Sequence, residues 1–136
     1  MKDLFDMITD VRSLINVPAF TSLIDGKVYP SIRPDNSTKV DSVVNGLSLT
    51  QTQQQIGSGN INIYVPKINS GGALVVDQSR MSTLSKIVAN LIKAVYMPTF
   101  RVFLDSQAEM IRDTDGSYYV TVRFKYYSFQ DEQVEV

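Results

Sequence analysis

The stretch that decides the fold is Ser117–Phe129, SYYVTVRFKYYSF, because apolar and polar side chains alternate along it. A period of two residues is typical of a β-strand with one face on a hydrophobic core. The run is about twice the usual strand length of five or six residues, so we predict a long central strand. The core-facing residues are Tyr118, Val120, Val122, Phe124 and Tyr126, and the opposite face carries Tyr119, Thr121, Arg123, Lys125 and Tyr127.

A turn and a second strand precede this one. The tetrad Asp113–Gly116, DTDG, has the chemistry of a hairpin turn. Its Asp spacing is similar to the opening of a calcium loop, but the later ligands and the closing Glu are missing, so we predict a plain turn. Residues 100–112 alternate again, with a break near Ser106. The two strands and the turn therefore predict a hairpin.

Three further strands are predicted upstream. Asn60–Pro66 alternates cleanly, and Val40–Leu49 reads as a strand with a possible bulge at Gly46. Lys27–Ile32 should lie at a sheet edge or be broken at Pro30, because Pro30 has no backbone N–H to donate. The glutamine- and glycine-rich stretch Gln51–Gly59 is predicted to be a mobile loop or a hairpin tip.

Two segments have helical periodicity. The first is Leu4–Asn16, with Asp3 as N-cap and Pro18 as stop. The second follows Asp77, with Asp77 or Ser79 as N-cap, and ends before Pro98. Its apolar stripe should pack on the sheet. The members of that stripe are Met81, Leu84, Val88, Leu91 and Val95.

Together these elements predict an α+β fold in the order α-β-β-β-α-β-β. It has a mainly antiparallel sheet of about five strands, with two helices packed on one face. We expect residues 1–136 to form one domain, with a flexible acidic tail at about 130–136.

The composition excludes several classes of function. The chain has no His and no Cys, which removes thiolate zinc sites, Ser-His-Asp and Cys nucleophiles and imidazole bases. With a net charge of -1, the chain lacks the overall positive charge that would attract the phosphates of a nucleic acid. No apolar run could span a bilayer, and the first residues carry acids where a signal peptide carries bases, so we expect a protein that is cytosolic at synthesis. We therefore predict no catalytic residues and no residues that bind a metal or a cofactor. We also predict no membrane association and no specific binding of nucleic acid.

The residues predicted to contact partners lie in the glutamine-rich loop, on the polar sheet face and in the tail. Tyr and Arg are enriched at protein interfaces, and loops supply contacts without disturbing the core. The set is Gln51, Gln53, Gln54, Gln55, Tyr64, Arg123, Lys125, Tyr127, Asp131 and Glu132.

Three stretches resemble the tail-completion, or tail-terminator, proteins of long-tailed phages and prophages. They are Gly59–Pro66, the helix Ser79–Val95 and the closing strand Gly116–Ser128. An N-terminal helix and an early Val28-Tyr29-Pro30 strand also match the order of elements in that family. The resemblance covers most of the chain, and none of the stretches is a catalytic motif.

The resemblance implies a structural role. Such proteins form a ring, commonly of six subunits, that caps a finished tail tube and helps join tail to head. The partners implied are further copies of the chain, the tail-tube protein and the head–tail connector, with assembly in the host cytoplasm and a final place in the virion. Three other roles stay open: another neck protein such as a head-closure protein, a nucleic-acid module that uses the tyrosine strand, and a small enzyme that uses carboxylates.

Overall fold

The computed structural model describes residues 1–129, which form three helices and eight strands. The helices are α1 (Leu4–Ile15), α2 (Pro18–Thr21) and α3 (Gln78–Ile92). The strands are β1 (Val28–Pro30), β2 (Asp41–Leu49), β3 (Gln54–Tyr64), β4 (Ile68–Ser70), β5 (Ala73–Val75), β6 (Ala94–Tyr96), β7 (Phe100–Arg112) and β8 (Tyr118–Phe129). The predicted tail at 130–136 lies outside the described residues.

The α+β class is confirmed, and the sheet is mixed but mostly antiparallel. Six strands pair in the order β1-β2-β3-β8-β7-β6, with only β1 and β2 parallel, and β4 and β5 form a separate hairpin. The prediction of about five strands and two helices was wrong, because α2, β4, β5 and β6 were missed. Each of these elements has three or four residues, too few to show a period.

The predicted strands mostly fall where expected. β8 lies between β3 and β7, as a central strand should, and β1 lies at the edge with Pro30. The pairing of β2 with β3 shifts register between Gly46 and Ser48, which confirms the bulge. Irregular pairing on either side of Ser106 likewise confirms the break predicted in β7.

Both long helices begin at the predicted caps. Asp3 accepts from the Asp6 backbone N–H at 2.8 Å, and the Asp6 carboxylate accepts from the Asp3 N–H at 2.9 Å, which completes a capping box on α1. Asp77 caps α3. However, α3 ends at Ile92 and not at Val95, because residues 94–96 pair with β7. Tertiary pairing here overrides a helical pattern.

The helices α1 and α3 pack on the same face of the sheet, as predicted. Met81, Leu84 and Val88 of α3 are buried in one core with residues of β3 and β8, whereas Leu91 is only partly buried. The core-facing sheet residues include Ile61, Ile63, Val65, Val120, Val122 and Phe124.

The assignment of Gln51–Gly59 to a loop was wrong for its second half, because residues 54–59 belong to β3. Gly57 and Gly59 are buried on the core face. A Cβ on Gly57 would lie 2.6 Å from the Met7 sulfur, and one on Gly59 would lie 2.5 Å from Cζ of Phe124. These glycines therefore make room for α1 and for the ring of Phe124.

A polar network fixes the start of the chain on the sheet. The buried Tyr126 hydroxyl donates to Asp10 Oδ2 at 2.6 Å, and Lys2 Nζ pairs with the same oxygen at 2.6 Å. The Gln55 amide donates to the Lys2 carbonyl at 2.8 Å and accepts from the Lys2 N–H at 3.0 Å. Burial, and then the bond to Asp10, raise the pKa of Tyr126 well above its usual value. The network joins α1 to β3 and β8.

Candidate interaction surface

The face of the sheet opposite the helices is the candidate functional surface, and the register defines its members. Tyr64 pairs with Tyr119, Asn60 with Arg123, and Ile56 with Tyr127. Because paired residues share a face, these side chains lie on the side away from α1 and α3. We call this side the helix-free face.

One end of the helix-free face carries adjoining aromatic rings and cations. The Phe103 ring makes edge contacts with Tyr96 at 5.5 Å and with Tyr127 at 5.8 Å between centroids. The Arg101 guanidinium lies 5.6 Å from the centre of the Tyr96 ring and 5.1 Å from that of Phe129. With Lys125, which pairs with Phe103 across the strands, these residues form what we call the aromatic–cation patch. Its members are Tyr96, Arg101, Phe103, Lys125, Tyr127 and Phe129.

The patch combines exposed apolar surface with positive charge. Tyr96 is 66% exposed and Phe129 is 45% exposed. Cations within about 6 Å of an aromatic face are attracted to it, yet guanidinium and ammonium groups arranged this way can still bind carboxylates. The patch is therefore chemically suited to a segment that brings both acids and apolar side chains.

The centre of the helix-free face is polar and partly sealed. Thr121 is 1% exposed and Asn62 is 6% exposed. The side-chain oxygens of Thr121, Asn62 and the neighbouring Asn60 are buried and have no hydrogen-bond partner within the described part of the chain. An unsatisfied buried polar group costs about 1–3 kcal/mol, so these oxygens favour an arrangement in which a water or a partner donates to them.

The other end of the face is built around Tyr64. Its ring lies 4.8 Å from that of Tyr119, and the Arg33 guanidinium sits 3.8 Å above it. Arg33 also pairs with the buried Asp41 at 3.7 Å, and the Ser37 hydroxyl donates to the same carboxylate. Burial raises the pKa of Tyr64. This end is therefore occupied by contacts within the chain.

The turn at 113–116 closes the β7–β8 hairpin, as predicted. Gly116 adopts φ +87°, a value that favours glycine, and its N–H donates to the Asp113 carbonyl at 3.0 Å. Asp115 accepts from the Ser117 hydroxyl at 2.6 Å, and this bond lowers the pKa of Asp115.

The residues predicted as contacts do not form one cluster. Tyr64 and Tyr127 share the helix-free face but lie at opposite ends of it, about 26 Å apart at 3.3 Å per strand residue. Arg123 is exposed between them, and Lys125 is half-buried in the patch. Gln51, Gln53 and Gln54 are exposed near the β2–β3 turn, and Asp131 and Glu132 lie outside the described residues.

Gln55 belongs to a different environment from the rest. Its side chain is fully buried and is used in the network with Lys2. We therefore leave it out of the candidate surface, since burial in the core removes it from contact with partners.

Sequence reasoning missed Tyr96, Arg101, Phe103 and Phe129 as parts of one surface. The helix predicted to end before Pro98 includes Tyr96, although the run Ala94-Val95-Tyr96 carries the β-branched and aromatic residues typical of strands. That signal, next to Pro98, could have indicated a short edge strand.

A groove of about 630 Å³ lies on the helix side, between α3 and β7. Met81 and Ala89 line it from α3, and Leu104 and Met110 from β7.

Among residues 1–129 there is no cluster of three or more acidic side chains placed to hold a metal ion. No helix in the same range is both long and apolar enough to cross a membrane.

Comparison with known proteins finds no protein-family model that matches the chain, and no curated protein matches its sequence.

Proposed function

We propose that this chain is a structural protein of a phage or prophage tail. It assembles into a ring, six subunits being the usual number in the family it resembles, that caps the tail tube and helps join tail to head. Its partners are other copies of itself, the tail-tube protein and the head–tail connector, and it acts by binding without turnover. Assembly takes place in the host cytoplasm, and the final place is the tail–head junction of the virion.

The observation that carries this proposal is the helix-free face. It is a broad sheet surface with exposed aromatic rings, unpaired buried oxygens at its centre and an exposed Arg123. Surfaces rich in Tyr, Phe and Arg are typical of protein interfaces. The resemblance of Gly59–Pro66 and Gly116–Ser128 to tail-completion proteins falls on the two strands, β3 and β8, that form the middle of this face.

A closed ring needs two different contact surfaces on each subunit, because a head-to-tail interface joins unlike patches. The β4–β5 hairpin is the second candidate. Its strands pair only with each other in the described part of the chain, and Leu74 is 69% exposed and Ile68 45% exposed. An apolar arm of this kind would gain by packing against a neighbouring subunit.

The first test measures assembly in solution by size-exclusion chromatography with light scattering over a range of concentrations. We expect a ring-sized particle, and we expect Arg123→Glu to weaken assembly with little change in thermal unfolding, because Arg123 is exposed. Lys39→Glu, an exposed cation on a loop, is the matched control. A strictly monomeric chain at all concentrations, with and without tail tubes, would contradict the proposal.

The second test is loss of the gene in the source phage. We expect separate heads and tails, and tails of uncontrolled length. Tails of normal length that fail to join would favour the head-closure role, and normal joined particles would reject both.

A nucleic-acid module is the second candidate function, and one observation favours it. Exposed rings and cations lie side by side in the aromatic–cation patch, as on sheets that stack bases. Binding of single-stranded RNA or DNA at physiological salt, lost in Tyr96→Ala, would support this role over the structural one.

A further inference from the structure

The outer edge of β7 is unpaired over part of its length. The strand has 13 residues, but β6 pairs only with Arg101–Phe103. After an irregular stretch that ends at Glu109, residues 109–112 pair with β8 in unbroken register. On their other side they pair with no strand in the described part of the chain. Their outward N–H and C=O groups are therefore available to a further strand, because an open sheet edge is a template for pairing.

The groove between α3 and β7 opens beside this edge. Met110 pairs with the buried Val120, so its side chain lies on the helix side, where it is 56% exposed. Met81 and Ala89 line the facing wall on α3. The groove holds about 630 Å³, and an apolar cavity of about 150 Å³ already binds benzene. A strand added to residues 109–112 would thus place every second side chain beside an apolar groove with room for it, which is the usual mode of binding at a sheet edge.

The β4–β5 hairpin has the complementary features. Its turn, Gly71-Gly72, has φ values of +61° and +88°, which suit a two-residue hairpin turn. An added Cβ on either glycine would meet no atom within 4 Å, so the tip projects away from the rest of the described chain. Leu74 is 69% exposed and Val75 is 40% exposed. Because a two-stranded hairpin by itself is marginally stable in water, a third strand beside β5 would stabilise it.

The hairpin is held away from the groove of its own chain. Only Val76 and Asp77 separate β5 from α3, and Gln78 at the start of α3 already lines the groove. Val76 packs against the core, and Asp77 accepts from the Arg80 N–H at 3.3 Å. These contacts fix the direction of the hairpin, so a hairpin that enters a groove comes from another copy of the chain.

We propose that the β4–β5 hairpin of one copy adds to the edge of β7 in a second copy. β5 pairs with residues 109–112 of that copy, and Leu74 enters the groove between its α3 and β7. The charges are complementary, because residues 67–76, KINSGGALVV, carry one base and no acid, whereas residues 105–112, DSQAEMIR, carry two acids and one base. Opposite net charges favour this pairing over contact between two like segments.

The contact is one form of self-assembly, and the inference rests on that part of the proposed function. It joins unlike surfaces of neighbouring copies, as a ring does. It gives the hairpin of each subunit a defined seat on its neighbour.

Cross-linking between two variants tests the contact, because the chain has no cysteine of its own. Tagged Leu74→Cys protein is mixed with untagged Met110→Cys protein at a concentration where the chain assembles, and a short bis-maleimide is added. We expect dimers of one tagged and one untagged chain, since Leu74 and Met110 meet in the groove. Untagged Arg123→Cys is the control partner, because Arg123 is also exposed but lies on the helix-free face. With this control, the yield of such dimers should be at background level.

Failure of the contact and failure of the proposed function give different results. Assembly in which Leu74→Cys links to Arg123→Cys, or to neither partner, overturns the contact between hairpin and groove without contradicting the ring. A chain that is monomeric at all concentrations, with and without tail tubes, overturns both.

A substitution that fills the groove tests the same contact without a cross-linker. Ser82 is exposed and lines the groove, whereas the adjacent Thr83 is exposed but does not line it. Ser82→Trp should raise the concentration for half-assembly by about tenfold or more, because the indole occupies the space that Leu74 needs. Thr83→Trp is the matched control and should raise it by less than about threefold. Both sites are on the surface, so thermal unfolding should stay near that of the wild type. Equal effects of the two substitutions on assembly overturn the proposal.

Hydrogen exchange tests the strand pairing itself. The outward amides of residues 109–112 should exchange more slowly in the assembled protein than in the diluted monomer, because in the assembly they bond β5 of a neighbour. Exchange of these amides at the same rate in both states overturns the proposal.

Discussion

The substitution Gly59→Ala should destabilise the protein strongly, although alanine is normally better tolerated than glycine in a strand. Gly59 lies on the core face of β3, where it pairs with Gly46 on one side and Phe124 on the other. An added Cβ would lie 2.5 Å from Cζ of Phe124 and even closer to the Asn45 carbonyl oxygen. The second neighbour is backbone inside the β2–β3 pairing, so it cannot move without disturbing the sheet.

The magnitude follows from two opposing effects. Replacing glycine reduces the conformational entropy of the unfolded chain, which stabilises the folded protein by about 0.4–1 kcal/mol. Overpacking a core, which displaces side chains and backbone, costs about 1–3 kcal/mol. Since one of the two clashing groups here is backbone, we expect the upper end of this cost, which leaves a net loss of about 2 kcal/mol in the free energy of unfolding.

Urea unfolding followed by circular dichroism measures this loss. Ser58→Ala is the matched control, because Ser58 is the preceding residue and its hydroxyl lies 3.2 Å from that of Ser48 on the opposite face. The control should change the unfolding free energy by less than about 1 kcal/mol. A Gly59→Ala midpoint equal to or above that of the wild type would refute the packing argument and restore the interpretation of residues 54–59 as a loop.

Two further predictions concern the core. Tyr126→Phe should cost about 1–3 kcal/mol, because the hydroxyl bonds the charged Asp10. Because folding raises the pKa of Tyr126, its stabilising effect is present below the unfolded value of about 10 and is lost as pH rises above it. The free energy of unfolding should therefore differ less between pH 8 and pH 11 in the variant than in the wild type. An equal difference in both proteins would contradict the raised pKa of Tyr126. Leu84→Ala should cost about 2–5 kcal/mol and Leu91→Ala clearly less, since Leu84 is 2% exposed whereas Leu91 is only partly buried. Thermal unfolding of both variants checks this, and a reversed order would mean that α3 packs on another face.

Local patterns in the sequence were sufficient for the long elements. The alternation in 117–129 and the stripe of α3 each extend over many residues, so they predict a long strand and a long amphipathic helix without knowledge of their neighbours. The caps at Asp3 and Asp77 depend on residues three positions apart, and the edge position of β1 follows from the chemistry of Pro30. Each of these signals lies within a single short segment of the sequence.

The features that local patterns do not predict are determined by contacts between residues distant in sequence. Gln55 is a core residue because it bonds Lys2, 53 positions away, and Tyr126 bonds Asp10 across 116 positions. Gly57 and Gly59 suit a loop by composition, but pairing with β2 and β8 makes them part of a strand. The aromatic–cation patch likewise exists because β6, β7 and β8 pair in register, which brings Tyr96, Arg101 and Phe129 together. Free energy from such long-range packing exceeds the local preference of a few residues, and no short window of sequence contains it.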